Sequence, residues 1–127
     1  MQKKIVKLKS MTLLFVEDED DLLEIISDTL TKLDANFLTA KNGKLALDIL
    51  EKEKVDIVVT DINMPVMNGL ELIRNINEKY SDLPVIIMSA HTENEYIKEA
   101  QKLGVKDYLI KPFDFIKFIE LVATMDK

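Results

Sequence analysis

Four short apolar runs along this chain each end at a polar residue. Leu13 to Val16 stops at Glu17 and Asp18, and Val55 to Val59, interrupted by Asp56, passes through Thr60 to Asp61. Val85 to Met88 stops at Ser89, and Tyr108 to Ile110 stops at Lys111. Asn36 to Ala40 is a fifth, shorter strand candidate. Between the runs the apolar period changes to that of helices. Leu22, Ile26, Leu30 and Leu33 share one face of Asp20 to Leu33, with acids in the first turn where the helix dipole favours them. Ala46, Leu47 and Leu50 follow the helix-start pair Asn42 and Gly43. Leu70 to Tyr80 follows Asn68 as cap, with Glu71 in reach of it. Thr92 and Glu95 form a capping-box pattern for a helix ending near Gly104. Asp114 would cap a last helix bearing Phe115, Ile116, Phe118, Ile119 and Val122.

Five strands alternating with five helices predict an α/β fold, a parallel sheet with helices on both faces. In such sheets the ligand crevice lies outside the carboxyl ends of the strands. Three carboxylates, a hydroxyl and an ammonium would therefore converge on one spot. Residues 1–11 fit a disordered leader, the end of an upstream domain or a lengthened first strand equally well, and residues 12–127 form one domain.

Composition narrows what the crevice could serve. No apolar stretch in the 127 residues approaches the roughly 20 needed to span a membrane. The absence of cysteine excludes disulfides and thiolate metal sites and fits a cytoplasmic location. A formal net charge of −6 argues against direct nucleic-acid binding by this domain and for a protein partner.

Asp61 ends the most β-branched run, at the mouth of a strand expected to be buried on both faces. Its carboxylate is a nucleophile able to accept a phosphoryl group as an acyl phosphate. Glu17 and Asp18 beside it crowd negative charge, since two unit charges about 4 Å apart repel by about 4 kcal/mol at an effective dielectric near 20. A divalent cation resolves that conflict, and Mg2+ takes hard oxygen ligands while keeping several waters. Lys111 could bind phosphate oxygens as a point charge, and Ser89 could hydrogen-bond one.

Four motifs in this order, FVEDED, VVTDINMPVMNG, MSAH and DYLIKPF, resemble those of the receiver domain of bacterial two-component response regulators, the group that includes the chemotaxis response regulator. The resemblance runs from Met11 to Met125. It implies a doubly wound, flavodoxin-like sheet of order 2-1-3-4-5 with five helices on both faces. It implies Asp61 as phosphoacceptor, with Lys111 and Ser89 acting on the phosphoryl group. Mg2+, or Mn2+ in its place, would be held by Asp18, Asp61 and the backbone carbonyl of Asn63, with Glu17 acting directly or through water. Tyr108 resembles the switch aromatic, the Lys111–Pro112 bond the cis peptide, and Asn63 and His91 occupy positions that could tune hydrolysis of the acyl phosphate. The phosphoryl donor would be a sensor histidine kinase or phosphotransfer protein. Phosphorylation would switch the surface of the fourth helix, fifth strand and fifth helix, and a phosphorylation-dependent homodimer could form through it.

The acidic pair is Glu-Asp where many members have Asp-Asp, and Ser89 stands where many have threonine. Two other readings use the same fold. A degenerate receiver would act as a constitutive interaction module, and a flavodoxin-like protein would bind flavin mononucleotide. The acidic loop EDEDD would repel a flavin phosphate in the absence of a metal. The output domain or target is not encoded in any of these motifs.

Overall fold

The computed structural model describes residues 2–62, 64–89, 94–111 and 115–124, and the side chains of Gln2 and Ile5 are not described. The elements run α1 (Gln2–Lys9), β1 (Thr12–Val16), α2 (Asp20–Lys32), β2 (Asn36–Ala40), α3 (Gly43–Lys52), β3 (Ile57–Asp61), α4 (Gly69–Lys79), β4 (Val85–Ser89), α5 (Asn94–Lys102), β5 (Asp107–Ile110) and α6 (Phe115–Thr124). The five strands form one parallel sheet in the order β2-β1-β3-β4-β5. The fold is the parallel α/β sheet expected from the pattern, in the doubly wound order 2-1-3-4-5 that the resemblance implies. It has six helices rather than five, because α1 forms inside the segment 1–11.

The strand period of two divides the core into two layers. Leu14, Val16, Val58 and Ile87 face α3, α4 and α5, where Ala46, Leu72, Ile73, Ile76 and Ala100 close over them. Leu13, Phe15, Ile57, Val59, Ile86 and Met88 face the opposite way, under Ile26, Leu30, Phe118 and Val122 of α2 and α6. The rings of Phe15 and Phe118 meet at 5.4 Å between centroids, fastening α6 to the middle of β1. Leu8 of α1 is fully buried in this second layer, Lys7 Nζ donates to Ala123 O at 2.8 Å, and Asn36 Nδ2 donates to Lys9 O at 3.2 Å. Ile116, one of the apolar residues of the last helix, is 58% exposed. It lies about 100° around the helix from Phe115, off the stripe made by Phe115, Phe118, Ile119 and Val122.

Caps begin the helices where polar punctuation placed them. Asn42 Oδ1 accepts from Leu45 N at 2.9 Å, and Asn68 Oδ1 accepts from Glu71 N at 3.0 Å. At the end of α5 the chain turns through Gly104 at φ +93°, and Val105 N reaches back to Ala100 O at 3.1 Å. The caps expected from Thr92 and Asp114 lie outside the described residues. Among the described residues no helix is long and apolar enough to cross a membrane.

Candidate functional site

The strand order reverses direction between β1 and β3, and that switch point is where a doubly wound sheet opens its crevice. Val16 is in register with Thr60, so Glu17, the next residue after β1, comes level with Asp61 at the end of β3. Ser89 pairs with Ile110, and Lys111 N donates to Ser89 O at 2.7 Å, which carries Lys111 to the same end of the sheet. Its Nζ then reaches back across β4 to donate to Asp61 Oδ2 at 3.0 Å and to Glu17 Oε1 at 2.7 Å.

Both carboxylates are taken out of water. Glu17 has no exposure and Asp61 only 6%, whereas Asp18 is exposed. The second oxygen of each buried acid is also engaged. Ile62 N donates to Asp61 Oδ1 at 2.8 Å, and Glu19 N donates to Glu17 Oε2 at 3.1 Å. Burial pushes the Glu17 carboxyl up to about 7, against the hydrogen bond from Lys111, and the charge of Asp61 adds to the rise. Burial also acts to lower Lys111, but its hydrogen bonds to Glu17 and Asp61, with the charges of both acids, outweigh it and raise the ammonium above its ordinary value. Lys111 thus stays charged while serving two acids.

Carboxylate oxygens of Glu17, Asp18 and Asp61 all lie within 4.8 Å of one another. With all three acids ionised, as a bound cation would favour, three carboxylates against one ammonium leave a local excess of two negative charges. The donors are hard, and the Glu17 and Asp61 carboxylates are held by hydrogen bonds, so the cluster fits a small divalent cation with water in its remaining positions. Ser89 sits at the same end of the sheet with no exposure, and its Oγ has no hydrogen-bond partner among the described residues. It is not joined to the acid and ammonium network. Tyr108, on β5, is 46% exposed. Asn63, His91 and Pro112 lie outside the described residues, and with them the expected backbone ligand, the hydrolysis-tuning positions and the Lys111–Pro112 bond.

Several supports of the site carry no reactive group and were missed by motif reading. Gly69 N donates to Ile62 O at 2.7 Å, and a Cβ on Gly69 would lie 2.3 Å from Asp61 O. Gly43 N donates to Met67 O at 3.2 Å, and a Cβ there would lie 2.9 Å from that oxygen. These two glycines let α4 and the start of α3 press against the loop that follows Asp61. Within that loop Met67 N closes on Pro65 O at 2.8 Å around Val66, whose φ of +70° is an unusual state for a β-branched residue. Lys41 pairs with Asp20 at 2.7 Å, largely in solvent. The glycines stood in view as helix-start and loop residues, but only the packing shows that neither can carry a side chain.

Residues 13–123 match the family described as the response regulator receiver domain. Among curated proteins, a chemotaxis protein CheY homologue of Campylobacter jejuni is 41% identical over 107 residues, covering 81% of this chain and 82% of that protein. The response regulator protein FleR of Pseudomonas aeruginosa is 38% identical over 110 residues, which cover 87% of this chain but only 23% of FleR. The chain thus spans most of one relative and under a quarter of the other. Among solved structures, a response regulator receiver protein from Pseudomonas putida superimposes with a TM-score of 0.84 at 30% identity, covering 91% of this chain and 97% of that one. Vibrio cholerae CheY4 superimposes at 0.79 and 28% identity, over 88% of this chain and 98% of its own.

Proposed function

The chain belongs to the response regulator receiver domains of two-component signalling, and from that premise we propose that Asp61 is its phosphoacceptor. The observation that carries the assignment is the sharing of Lys111 Nζ between Asp61 Oδ2 and Glu17 Oε1, at 3.0 and 2.7 Å. One ammonium is set against the nucleophile at the mouth of the crevice, where it can follow charge onto an incoming phosphoryl group.

The donor is a phosphohistidine of a sensor kinase or phosphotransfer protein. An Asp61 carboxylate oxygen attacks phosphorus, the new O–P bond forms as the N–P bond breaks, and the imidazole leaves with the electron pair. Such transfer needs alignment and charge stabilisation more than covalent help from the protein. Ile62 N and Lys111 Nζ hold the two carboxylate oxygens and limit the rotation of the side chain. Asp18 and Asp61, with Glu17 directly or through water and the Asn63 backbone carbonyl, would hold Mg2+ or Mn2+. When bound, that cation supplies positive charge to the phosphoryl oxygens. Lys111 then exchanges a carboxylate partner for a phosphoryl oxygen, and the Ser89 hydroxyl, unpaired among the described residues, gains an acceptor.

Satisfying Ser89 in this way favours a second arrangement of β4 and β5, with Tyr108 changing exposure, and so biases the surface formed by α5, β5 and α6. We place the output of this segment on that surface, whether as a partner site or as a homodimer contact. Intact-mass spectrometry with acetyl phosphate and Mg2+ tests the acceptor. Wild type should gain one phosphoryl mass and Asp61→Asn none, and an equal gain in the variant would overturn the assignment. Sedimentation with and without beryllofluoride tests the dimer, and unchanged behaviour would count against it.

A further inference from the structure

We propose that Thr60 is a positioning residue for Asp61, its hydroxyl fixing the peptide plane that aims the acceptor carboxylate; this rests on the reading of Asp61 as phosphoacceptor. Thr60 is fully buried near the end of β3, paired with Val16 on one side and Ile87 on the other. Its neighbours on the same face of the strand are Val58 and Ile62, both apolar and buried. A hydroxyl in such a row costs free energy unless it is hydrogen-bonded, so valine would be the simpler occupant.

The hydroxyl is hydrogen-bonded, and its partner is specific. Thr60 Oγ1 donates to Asp61 O at 2.8 Å. That carbonyl and the N–H of Ile62 belong to one planar peptide unit, and Ile62 N is the group that donates to Asp61 Oδ1 at 2.8 Å. Holding the carbonyl therefore holds the direction of the N–H, which in turn holds one oxygen of the carboxylate. The other oxygen is left to Lys111.

Gly69 presses on the same unit. A Cβ there would lie 2.3 Å from Asp61 O and 2.8 Å from Ile62 Cα. The peptide is gripped by a hydroxyl and by a close Cα, and it cannot rotate without losing the bond and meeting the α4 backbone. Thr60 touches neither metal nor phosphoryl group in this scheme. It acts through the peptide.

The test is the time course of phosphorylation of the full chain by acetyl phosphate and Mg2+, read by intact mass, with the modified residue found by peptide mapping. Thr60→Val keeps the volume and removes the hydroxyl. It should lower the maximal rate by roughly 10-fold, with little change in the half-saturating acetyl phosphate concentration, and Thr60→Ser should restore most of the rate. Thr60→Ala and Thr60→Ser lack the same methyl and differ by one oxygen, so this pair decides the matter if valine packs badly. Equal rates in Thr60→Val and wild type, or in Thr60→Ala and Thr60→Ser, would overturn the role of Thr60 while leaving the acceptor in place. A phosphoryl group mapped elsewhere than Asp61 in wild type would overturn the acceptor reading itself, and the positioning role with it.

Discussion

Glu17, which has no solvent exposure, is held by Lys111 Nζ at 2.7 Å, a shorter contact than the 3.0 Å between the same ammonium and Asp61. Lys111 is thus as much the counter-charge of the acidic pair as the partner of the proposed phosphoacceptor Asp61. Its removal should therefore be felt in stability as well as in rate. Lys111→Met leaves two buried acids facing each other, and breaking such a pair costs about 1–3 kcal/mol once proton uptake by Glu17 limits the penalty. Urea unfolding at pH 7.5 in chelator should show that loss. Phosphorylation by acetyl phosphate should slow by about 10². Unchanged urea midpoints would mean that the ammonium contributes nothing to the fold.

The raised Glu17 carboxyl predicts a pH dependence of definite sign. Its value goes from 4.5 to about 7 on folding, chiefly through burial. A carboxyl raised in this way binds its proton more tightly in the native state than in the unfolded chain. Its contribution to stability is complete below about pH 4.5 and is lost as pH rises through about 7. In chelator, wild type should lose about 2–3 kcal/mol across that window relative to Glu17→Gln. Lys111, raised above its ordinary value, stays protonated throughout. Glu17→Gln should be the more stable protein at pH 7.5 and bind Mg2+ more weakly by calorimetry. Parallel stability profiles for the two proteins between pH 4.5 and 8 would contradict the shift.

Ser89 Oγ is buried and unpaired among the described residues, so its hydroxyl is a cost in this conformation. Ser89→Ala should leave the urea midpoint unchanged or raise it by up to about 1 kcal/mol. It should still accept a phosphoryl group at Asp61. What it should lose is the response at a distance. In wild type the ring resonances of Tyr108 should shift when beryllofluoride is added, and in Ser89→Ala that shift should shrink to a small fraction. A full shift in the variant would show that the hydroxyl is not what links the site to β5.

Two of the three glycines should separate support of the site from support of the fold. Gly69→Ala forces a Cβ to 2.3 Å from Asp61 O, a backbone atom with no room to retreat, and overpacking of this kind costs about 1–3 kcal/mol or more. Because the displaced atom belongs to Asp61, phosphorylation should fall with it. Gly104 has nothing within 4 Å of its missing Cβ, but its φ of +93° disfavours any side chain. Gly104→Ala should therefore lose about 1 kcal/mol and phosphorylate at the wild-type rate. Calorimetric Tm values and acetyl phosphate time courses on the two variants give the comparison.

The strand-ending residues were legible in sequence because a parallel sheet forces its C-terminal ends together. As parallel strands, the runs ending at Glu17, Asp61 and Lys111 meet by topology, and the 2.7 and 3.0 Å contacts of Lys111 give that meeting its dimensions. The supports were not legible. Thr60 reads as an ordinary β-branched strand residue, and Gly69 as loop punctuation, since the constraint on each is an interatomic distance with no period or motif of its own. Ile116 shows that apolar identity alone does not decide burial: the angle around α6 does, and the residue is 58% exposed. Residues 2–9 carry no readable period: among the described side chains of that stretch only Leu8 is fully buried, beside a charged run.

That single residue makes α1 testable as a part of the core. Leu8 has no exposure and joins the layer containing Phe118 and Val122, while Val6 on the same helix is 67% exposed. The anchoring is at the amino ends of the strands, since α1 leads directly into Thr12 at the start of β1, far from the crevice at the carboxyl ends. Truncating a buried leucine costs about 2–5 kcal/mol through lost transfer energy and the cavity left behind. Leu8→Ala should fall at the low end of that range, because a terminal helix can shift to fill part of the space, and Val6→Ala should change little. Neither variant, measured well below its Tm, should alter the rate at which Asp61 takes up a phosphoryl group. Urea titrations would show whether α1 is an integral part of the folded unit: equal midpoints for Leu8→Ala and Val6→Ala would mean that it packs too loosely to matter.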